Sequence, residues 1–311
     1  RVKMAADGHI ESDIRTEAAI TILCDGKKIC SHKVSLDQGR NSFTCPFTLK
    51  NAALWWSNGL GEASMHNFDI IVEAAGIKAS VSERTGIRTA EVIRGDDQWG
   101  RSFTVRLNGL DVFCKGANWI PIDNFPHRRS RDDYDRLIGD AAECNMNMLR
   151  VWGGGLYENE DFYAACDSLG VMVWQDMAFA CGMFPADSAY LASVSAEVRD
   201  NIRRLRNHPS IVLWCGNNEN EISYFEWGWN RTLTGEQQKD YEAGLRRLFY
   251  ETIPEAIAME DDTRYYHPSS PSTGHSGVPY SMGDAHFWSV WKGGWIEEYL
   301  KPGNIARFMS E

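Results

Sequence analysis

An all-β pattern that gives way near residue 100 to alternating strands and helices predicts a multidomain β plus α/β chain. The expected order is an immunoglobulin-like β-sandwich over residues 1–100, then an incomplete TIM (β/α)8 barrel over residues 101–311. Three observations carry this reading. Alternating apolar strands recur through the first hundred residues with no helical period between them. Beyond them, short apolar runs alternate with 3.6-residue periodicity, the pattern of parallel strands joined by crossover helices. Seven such runs can be counted, each ending in polar or aromatic residues.

In the first part, alternation runs from Ala18 to Cys24, Asp25-Gly26 supplies a tight hairpin turn, and Lys28 to Leu36 returns. Strands follow at Ser42–Leu49, Phe68–Ala74 and Lys78–Thr85. Asn108-Gly109 marks another hairpin leading into Val112–Gly116, the first expected barrel strand. Ser130 and Asp133 form a capping-box signature ahead of Tyr134, Leu137, Ile138, Ala141 and Ala142, which fall at helical spacing. The remaining expected strands are Met146–Trp152, Val171–Trp174, Ile211–Cys215, Arg264–His267, Gly283–Phe287 and Ile305–Met309. Helices are expected at Phe162–Leu169, closed by Gly170, and around Val198–Arg206.

Bulk properties exclude several classes. A net charge of −11 argues against nucleic-acid and anionic-membrane partners, and no window is long and apolar enough for a membrane helix. The eight cysteines form no CxxC pair and mostly lie in apolar runs, so they read as small buried hydrophobes. Gly153-Gly154-Gly155 lacks the Lys-Ser/Thr of a phosphate loop and the spacing of a dinucleotide fingerprint. No second histidine stands at ligand spacing to His286, so neither a catalytic metal nor a cofactor is expected. Twelve tryptophans, several near strand ends, suit stacking on sugar faces as well as core packing.

The most informative segment is Trp214-Cys-Gly-Asn-Asn-Glu-Asn-Glu221, two amides and two carboxylates directly after the buried strand Ile211–Cys215. Parallel barrels place their chemistry at this end of the strands, and glycoside hydrolysis needs a carboxyl group there to protonate a leaving oxygen. A helix N-terminus capped by Asn and complemented by Glu has the same composition. The other strand ends favour a site: Lys115, Asn118 and Trp119; Arg150 and Trp152; Trp174, Gln175 and Asp176; Asp284, His286 and Trp288; Ser310 and Glu311. Glu219 and Glu311 stand 92 positions apart. At about 30 residues per βα unit that is three units, which places them across the barrel mouth from each other.

Four runs carry a specific resemblance: Lys115-Gly-Ala-Asn-Trp-Ile-Pro121, Asn147-Met-Leu-Arg-Val-Trp-Gly-Gly-Gly155, Met172-Val-Trp-Gln-Asp176 and Trp214-Cys-Gly-Asn-Asn-Glu219. Together they resemble the β-mannosidase branch of glycoside hydrolase family 2. Leu54-Trp-Trp-Ser-Asn-Gly-Leu60 is similar to that family's sandwich domain, with Ser57 where proline is usual. The resemblance implies a retaining hydrolase that removes terminal β-D-mannose from β-mannoside oligosaccharides, exported or lysosomal. It assigns Glu219 as acid/base, Asn218 to the sugar 2-hydroxyl and Glu311 as nucleophile, held by Arg150. Trp174, Trp227, His286 and Trp288 would line the sugar subsite. A protonated Glu219 is expected to need a raised pKa, supplied by Glu311 and aromatic walls. Glu221 competes locally for the acid/base role, although its two-residue offset would turn it aside at a helix start.

Other exo-acting family 2 activities (galactosidase, glucuronidase, glucosaminidase) and a catalytically inactive carbohydrate-binding relative remain the alternatives. The resemblance also implies a longer parent, with an N-terminal jelly-roll domain and an eighth barrel strand. Alone, a polypeptide of this extent is expected to be inactive and aggregation-prone, with strands one and seven left as open edges.

Overall fold

The computed structural model describes residues 1–311 and divides into two compact units. The first comprises residues 1–55 and 63–87, the second residues 56–62 and 88–311. The division therefore falls at Ile87/Arg88 rather than near residue 100. Its cause is β7 (Ala90–Ile93), which pairs antiparallel with β10 (Thr104–Leu107) and so belongs to the second unit.

In the first unit, β1 (Val2–Ser12) pairs with β4 (Gly39–Leu49), and β2 (Thr16–Cys24), β3 (Lys27–Leu36), β5 (Met65–Ala74) and β6 (Ile77–Gly86) form a second antiparallel sheet in the order β3-β2-β5-β6. The strict alternation of β1 turns Val2, Met4, Ala6 and Ile10 toward a core of Ile20, Ile22, Cys45, Phe47 and Phe68, so apolar faces of both sheets share one interior. The β2–β3 turn carries Asp25 at φ 51° and Gly26 at φ 75°, the paired left-handed conformation that two-residue hairpins require.

The second unit opens with β7, the short ribbon β8 (Asp96–Asp97) and β9 (Gly100–Arg101), then β10 and β11 (Leu110–Val112), the last two joined by the Asn108-Gly109 turn. A five-stranded parallel sheet follows in sequence order: β12 (Gly116–Trp119), β13 (Met148–Val151), β14 (Met172–Asp176), β15 (Ile211–Cys215) and β16 (Tyr265–His267). β17 (Asp284–Ala285) and β18 (Phe308–Met309) pair with each other, also parallel. Seven parallel strands thus appear in the expected order, but the first is displaced. Val112 is an arm of the β10–β11 hairpin, opposite Val105, and pairing with β13 begins only at Gly116. No side chain fits at that entry, because a Cβ on Gly116 would meet the Met148 carbonyl at 1.7 Å.

The helices are α1 (Arg131–Glu143), α2 (Glu160–Leu169), α3 (Ser188–Leu205), α4 (Asn220–Phe225), α5 (Gly235–Arg246) and α6 (Ile253–Ala258). Both halves of the Ser130–Asp133 capping box form, and Gly170 closes α2 at φ 70°. Helix α3 starts ten residues before the expected Val198, where the Asp187 side chain accepts from the backbone of Ala189 and Tyr190. The buried core joins strand residues Leu149, Val173 and Ile211 to helix residues Ile138, Phe162, Val198, Ile202 and Ile253.

Residues 56–62 pack within this second unit, although the Leu54–Leu60 motif read as part of the sandwich. Asn58 explains the docking: its amide donates to the Gly170 carbonyl, and its side chain donates to the carbonyls of Ala142 and Met146. It thereby satisfies carbonyls left over at the ends of α1 and α2.

Candidate active site

The polar groups converge at the carboxyl ends of the parallel strands. Arg150 projects from β13 and Asp176 from β14, both buried. Asn218 and Glu219 follow β15, His286 and Trp288 follow β17, and Ser310 and Glu311 follow β18. Gly153 holds the β13 loop tight against the next one, since a Cβ there would meet the carbonyls of Phe179 and Met177 at 2.5 and 2.7 Å.

Arg150 is the hub. Its Nη2 donates to Asp176 Oδ2 at 2.9 Å and to Asn218 Oδ1 at 2.8 Å. Its Nη1 donates to the Ser310 carbonyl at 3.2 Å and to Glu311 Oε1 at 3.4 Å. Burial opposes the guanidinium charge, but Asp176 outweighs it, with Glu311 adding, and the group stays firmly cationic. Asp176 is held in turn by Trp174 Nε1 at 2.7 Å and the Gly153 amide at 3.0 Å.

His286 stands between the two glutamates. Nδ1 lies 2.9 Å from Glu219 Oε1 and 3.5 Å from Glu311 Oε2, while Nε2 lies 3.1 Å from Ser270 Oγ. One oxygen of each carboxylate and Nδ1 all fall within 4.8 Å of one another. Those three atoms are also the donor set a cation would find here, beside the Arg150 guanidinium. Glu311 Oε2 further accepts from Trp288 Nε1 at 3.1 Å.

Glu219 itself adopts φ 62°, a left-handed backbone uncommon for a glutamate. Its amide donates to the Ser270 carbonyl at 2.7 Å, which pins this conformation.

Residues 155–243 match the family described as "Glycosyl hydrolases family 2, TIM barrel domain". A curated relative, "Beta-mannosidase B" of Emericella nidulans, is 40% identical over 303 residues, covering 95% of this chain and 35% of its own. The Aspergillus clavatus "Beta-mannosidase B" is 36% identical over 300 residues, with the same two coverages. A crystal structure of a β-D-mannosidase from Dictyoglomus thermophilum superposes with a TM-score of 0.85 at 37% identity, over 98% of this chain and 37% of that one. An exo-chitosanase of Amycolatopsis orientalis, at 20% identity and a TM-score of 0.67 over 90% of this chain and 31% of its own, shares the fold. The chain belongs to glycoside hydrolase family 2. It spans about a third of the length of the curated relatives it matches.

Within this family 2 chain, the structure brings Glu219, Glu311, Asn218, Arg150, His286 and Trp288 into one cluster. Trp174 is different. It is fully buried, stacked 5.5 Å from Phe103 and lying 5.3 Å beneath the Arg150 guanidinium, so it supports the site from below instead of lining its surface. Trp227 lies half exposed beyond α4, edge-on to Trp229 at 6.1 Å, with no bond to either carboxylate. Glu221 is turned aside as its offset implies: Oε1 accepts from the Tyr250 hydroxyl at 2.6 Å.

The expected rise in the Glu219 pKa is reversed. Burial does push it up, but the hydrogen bond and charge of His286, then the Cys181 thiol and Arg150, outweigh burial and hold it below the usual glutamate range. The sequence reading counted Glu311 and aromatic walls, and it missed the donors that reach Glu219 from other loops.

Asp284 was expected at a strand end but without its partners, and Cys181 was not expected at the site at all. Asp284, fully buried, accepts from His267 Nε2 at 2.8 Å, Ser270 Oγ at 2.7 Å, the Ser272 amide at 2.9 Å and Ser310 Oγ at 2.8 Å, and so ties β16, β17 and β18 together. Cys181 is exposed, not a buried hydrophobe, and touches Glu219. The only sequence signal for Cys181 was its place in the loop after β14. A separate cavity of about 480 Å³, lined by Glu226, His275, Tyr280 and Asn304 among others, contains neither carboxylate, so shape alone does not locate the chemistry.

Proposed function

We propose that the full-length protein is a retaining exo-β-mannosidase acting on β-mannoside oligosaccharides, with Glu219 as acid/base and Glu311 as nucleophile. The observation that carries this is the two carboxylates meeting at His286 Nδ1, with one oxygen of each within 4.8 Å of the other. Retaining pairs stand about 5–5.5 Å apart, whereas an inverting pair needs roughly 6.5–9.5 Å to admit a water. The sugar is that of the β-mannosidases to which the chain is similar.

In this reading Glu311 attacks the anomeric carbon while Glu219 delivers a proton to the departing glycosidic oxygen. Arg150, Trp288 and His286 hold the attacking carboxylate in place and aim it. Forming the glycosyl ester consumes the Glu311 charge. Loss of that nearby negative charge lowers the proton affinity of Glu219 further, and suits it to act as base on the incoming water. His286 and Cys181 favour the ionised form of the resting Glu219, so acting as acid calls for the bound sugar to weaken their hold. Asn218 Oδ1 is occupied by Arg150 and one N–H of its side-chain amide faces Cys181 Sγ, which leaves the second N–H for a sugar hydroxyl. Trp288, half exposed beside Glu311, offers an indole face for the pyranose. We assign the first unit, by the same resemblance, to an immunoglobulin-like sandwich.

The test is hydrolysis of nitrophenyl β-mannoside by the full-length protein, beside Glu219→Gln. Turnover is expected to fall by roughly 10²–10⁴-fold in the variant, the range for losing a general acid. Recovery with a dinitrophenyl leaving group, which needs no protonation, would confirm the role. Product of inverted configuration by NMR would sink the mechanism, and turnover of a different glycoside in a nitrophenyl panel would move the sugar assignment.

A further inference from the structure

Glu219 is approached from the loop after β14 by a residue that no part of the proposed reaction uses. Cys181 Sγ lies 3.3 Å from Glu219 Oε2, and Asn218 Nδ2 lies 3.7 Å from the same sulfur. The thiol therefore bridges the two residues that the proposed function places against the sugar. It accepts from the Asn218 amide and donates its S–H to the Glu219 carboxylate.

The backbone is built to bring it there. Asn218 donates to the Phe179 carbonyl at 2.9 Å and accepts from the Cys181 amide at 2.9 Å, so the β14 and β15 loops run side by side as a short parallel bridge through Ala180. Cys181 sits at φ 44° and Glu219 at φ 62°. Two non-glycine residues in left-handed conformations face each other across this bridge, and such strain persists only where surrounding bonds impose it.

The two oxygens of Glu219 are divided between different partners. Oε1 takes His286 Nδ1 from the β17 loop, and Oε2 takes Cys181 from the β14 loop. Arg150 from β13 and Glu311 from the end of β18 complete the charged groups around it. We propose that Cys181 is a positioning residue for the acid/base: its thiol fixes the rotamer of Glu219 and stabilises the ionised carboxylate in the step where Glu219 acts as base. This rests on the reading of Glu219 given above.

The thiol suits that task. Although the residue as a whole is exposed, partial desolvation of its thiol first, then the nearby Glu219 charge, pushes its pKa up to about 12, so it remains a proton donor throughout the range in which a glycosidase works. It stays neutral and adds no charge to repel Glu311. Serine would offer a stronger donor on a shorter bond, whereas alanine would offer none.

Two measurements on the full-length protein test this, and only one depends on turnover. The S–H stretching band of Cys181, isolated as the infrared difference between wild type and Cys181→Ser, is expected to be shifted by hydrogen bonding and to return to the free-thiol position in Glu219→Ala. A band at the free-thiol position in wild type would overturn the contact, whatever substrate the enzyme takes. The second measurement is the pH profile of kcat/KM on the substrate the protein turns over. In Cys181→Ala the alkaline limb, which reports the protonated acid, should move up by about half a unit or more, because a donor to the ionised form is gone. kcat should fall several-fold with KM little changed, and Cys181→Ser should restore both. An alkaline limb in Cys181→Ala that coincides with wild type would refute the positioning role. So would equal losses in the serine and alanine variants, which mark a packing defect.

Discussion

Replacing Arg150 by methionine should destabilise the barrel unit far more than the loss of one charge at a surface would. The substitution keeps a stem of similar length and removes every donor. Asp176 then loses its 2.9 Å partner while remaining sealed from solvent. Breaking a buried pair from one side costs about 3–5 kcal/mol, because a charge is stranded in a medium that solvates it poorly. Asp176 keeps Trp174 Nε1 and the Gly153 amide, so the lower end of that range, about 3 kcal/mol, is expected. Asn218 Oδ1 and the Ser310 carbonyl also lose a donor, which works against any relief. The assay is equilibrium urea unfolding of the full-length protein, followed by the fluorescence of its tryptophans, Trp174 lying 5.3 Å from the guanidinium. Adding Asp176→Asn to Arg150→Met removes the stranded charge and should recover a substantial part of the loss. A cost below about 1 kcal/mol for the single variant, typical of an exposed pair, would refute the reasoning. So would a double variant whose losses simply add.

Acid should act through Asp284. Burial opposes its charge, but His267 and the serine hydroxyls outweigh burial and hold the carboxyl far below its ordinary value. A depressed folded-state pKa gives stability that is present above about pH 4 and lost as pH falls toward the folded value, so the urea midpoint of wild type should drop more steeply below pH 4 than that of Asp284→Asn. Under the proposed function, Glu221→Gln should keep turnover within the same order of magnitude as wild type, since Glu221 is tied to Tyr250 and not to the proposed reacting pair; a loss matching that of Glu219→Gln would reverse the assignment. Ser57, the residue that stands where the family resemblance expects proline, is fully buried with no partner for its hydroxyl. Ser57→Ala should therefore raise stability by about 1 kcal/mol in the same unfolding assay, and a fall would show that the hydroxyl is satisfied.

Much of this was legible because it is local. The Asp25-Gly26 and Asn108-Gly109 turns, the Ser130–Asp133 capping box and the Gly170 stop depend on residues within a few positions of one another, and all form. The apolar runs from Ile211 to Cys215 and from Val171 to Trp174 are buried throughout, so composition alone marks them as parallel strands. The structure departs from the expectation where a pairing that strand periodicity does not specify took over, whether near in the chain or far. Val112 was claimed by its hairpin partner, and residues 56–62 were claimed by carbonyls at two helix ends.

Local sequence alone sets which chemical groups stand at the strand ends, and the spacing of Glu219 and Glu311 already puts both at the carboxyl ends of parallel strands. Tertiary structure alone decided their environment. His286 reaches Glu219 across 67 positions and Arg150 reaches Glu311 across 161, while Trp174 disappears beneath the guanidinium and Cys181 arrives from a neighbouring loop. The direction of a carboxyl's pKa is a balance between burial, which the surrounding fold sets, and donors a few ångströms away. For Glu219 the two donors, His286 and Cys181, and the charge of Arg150 come from three other strand ends, and periodicity or local spacing carries no record of them.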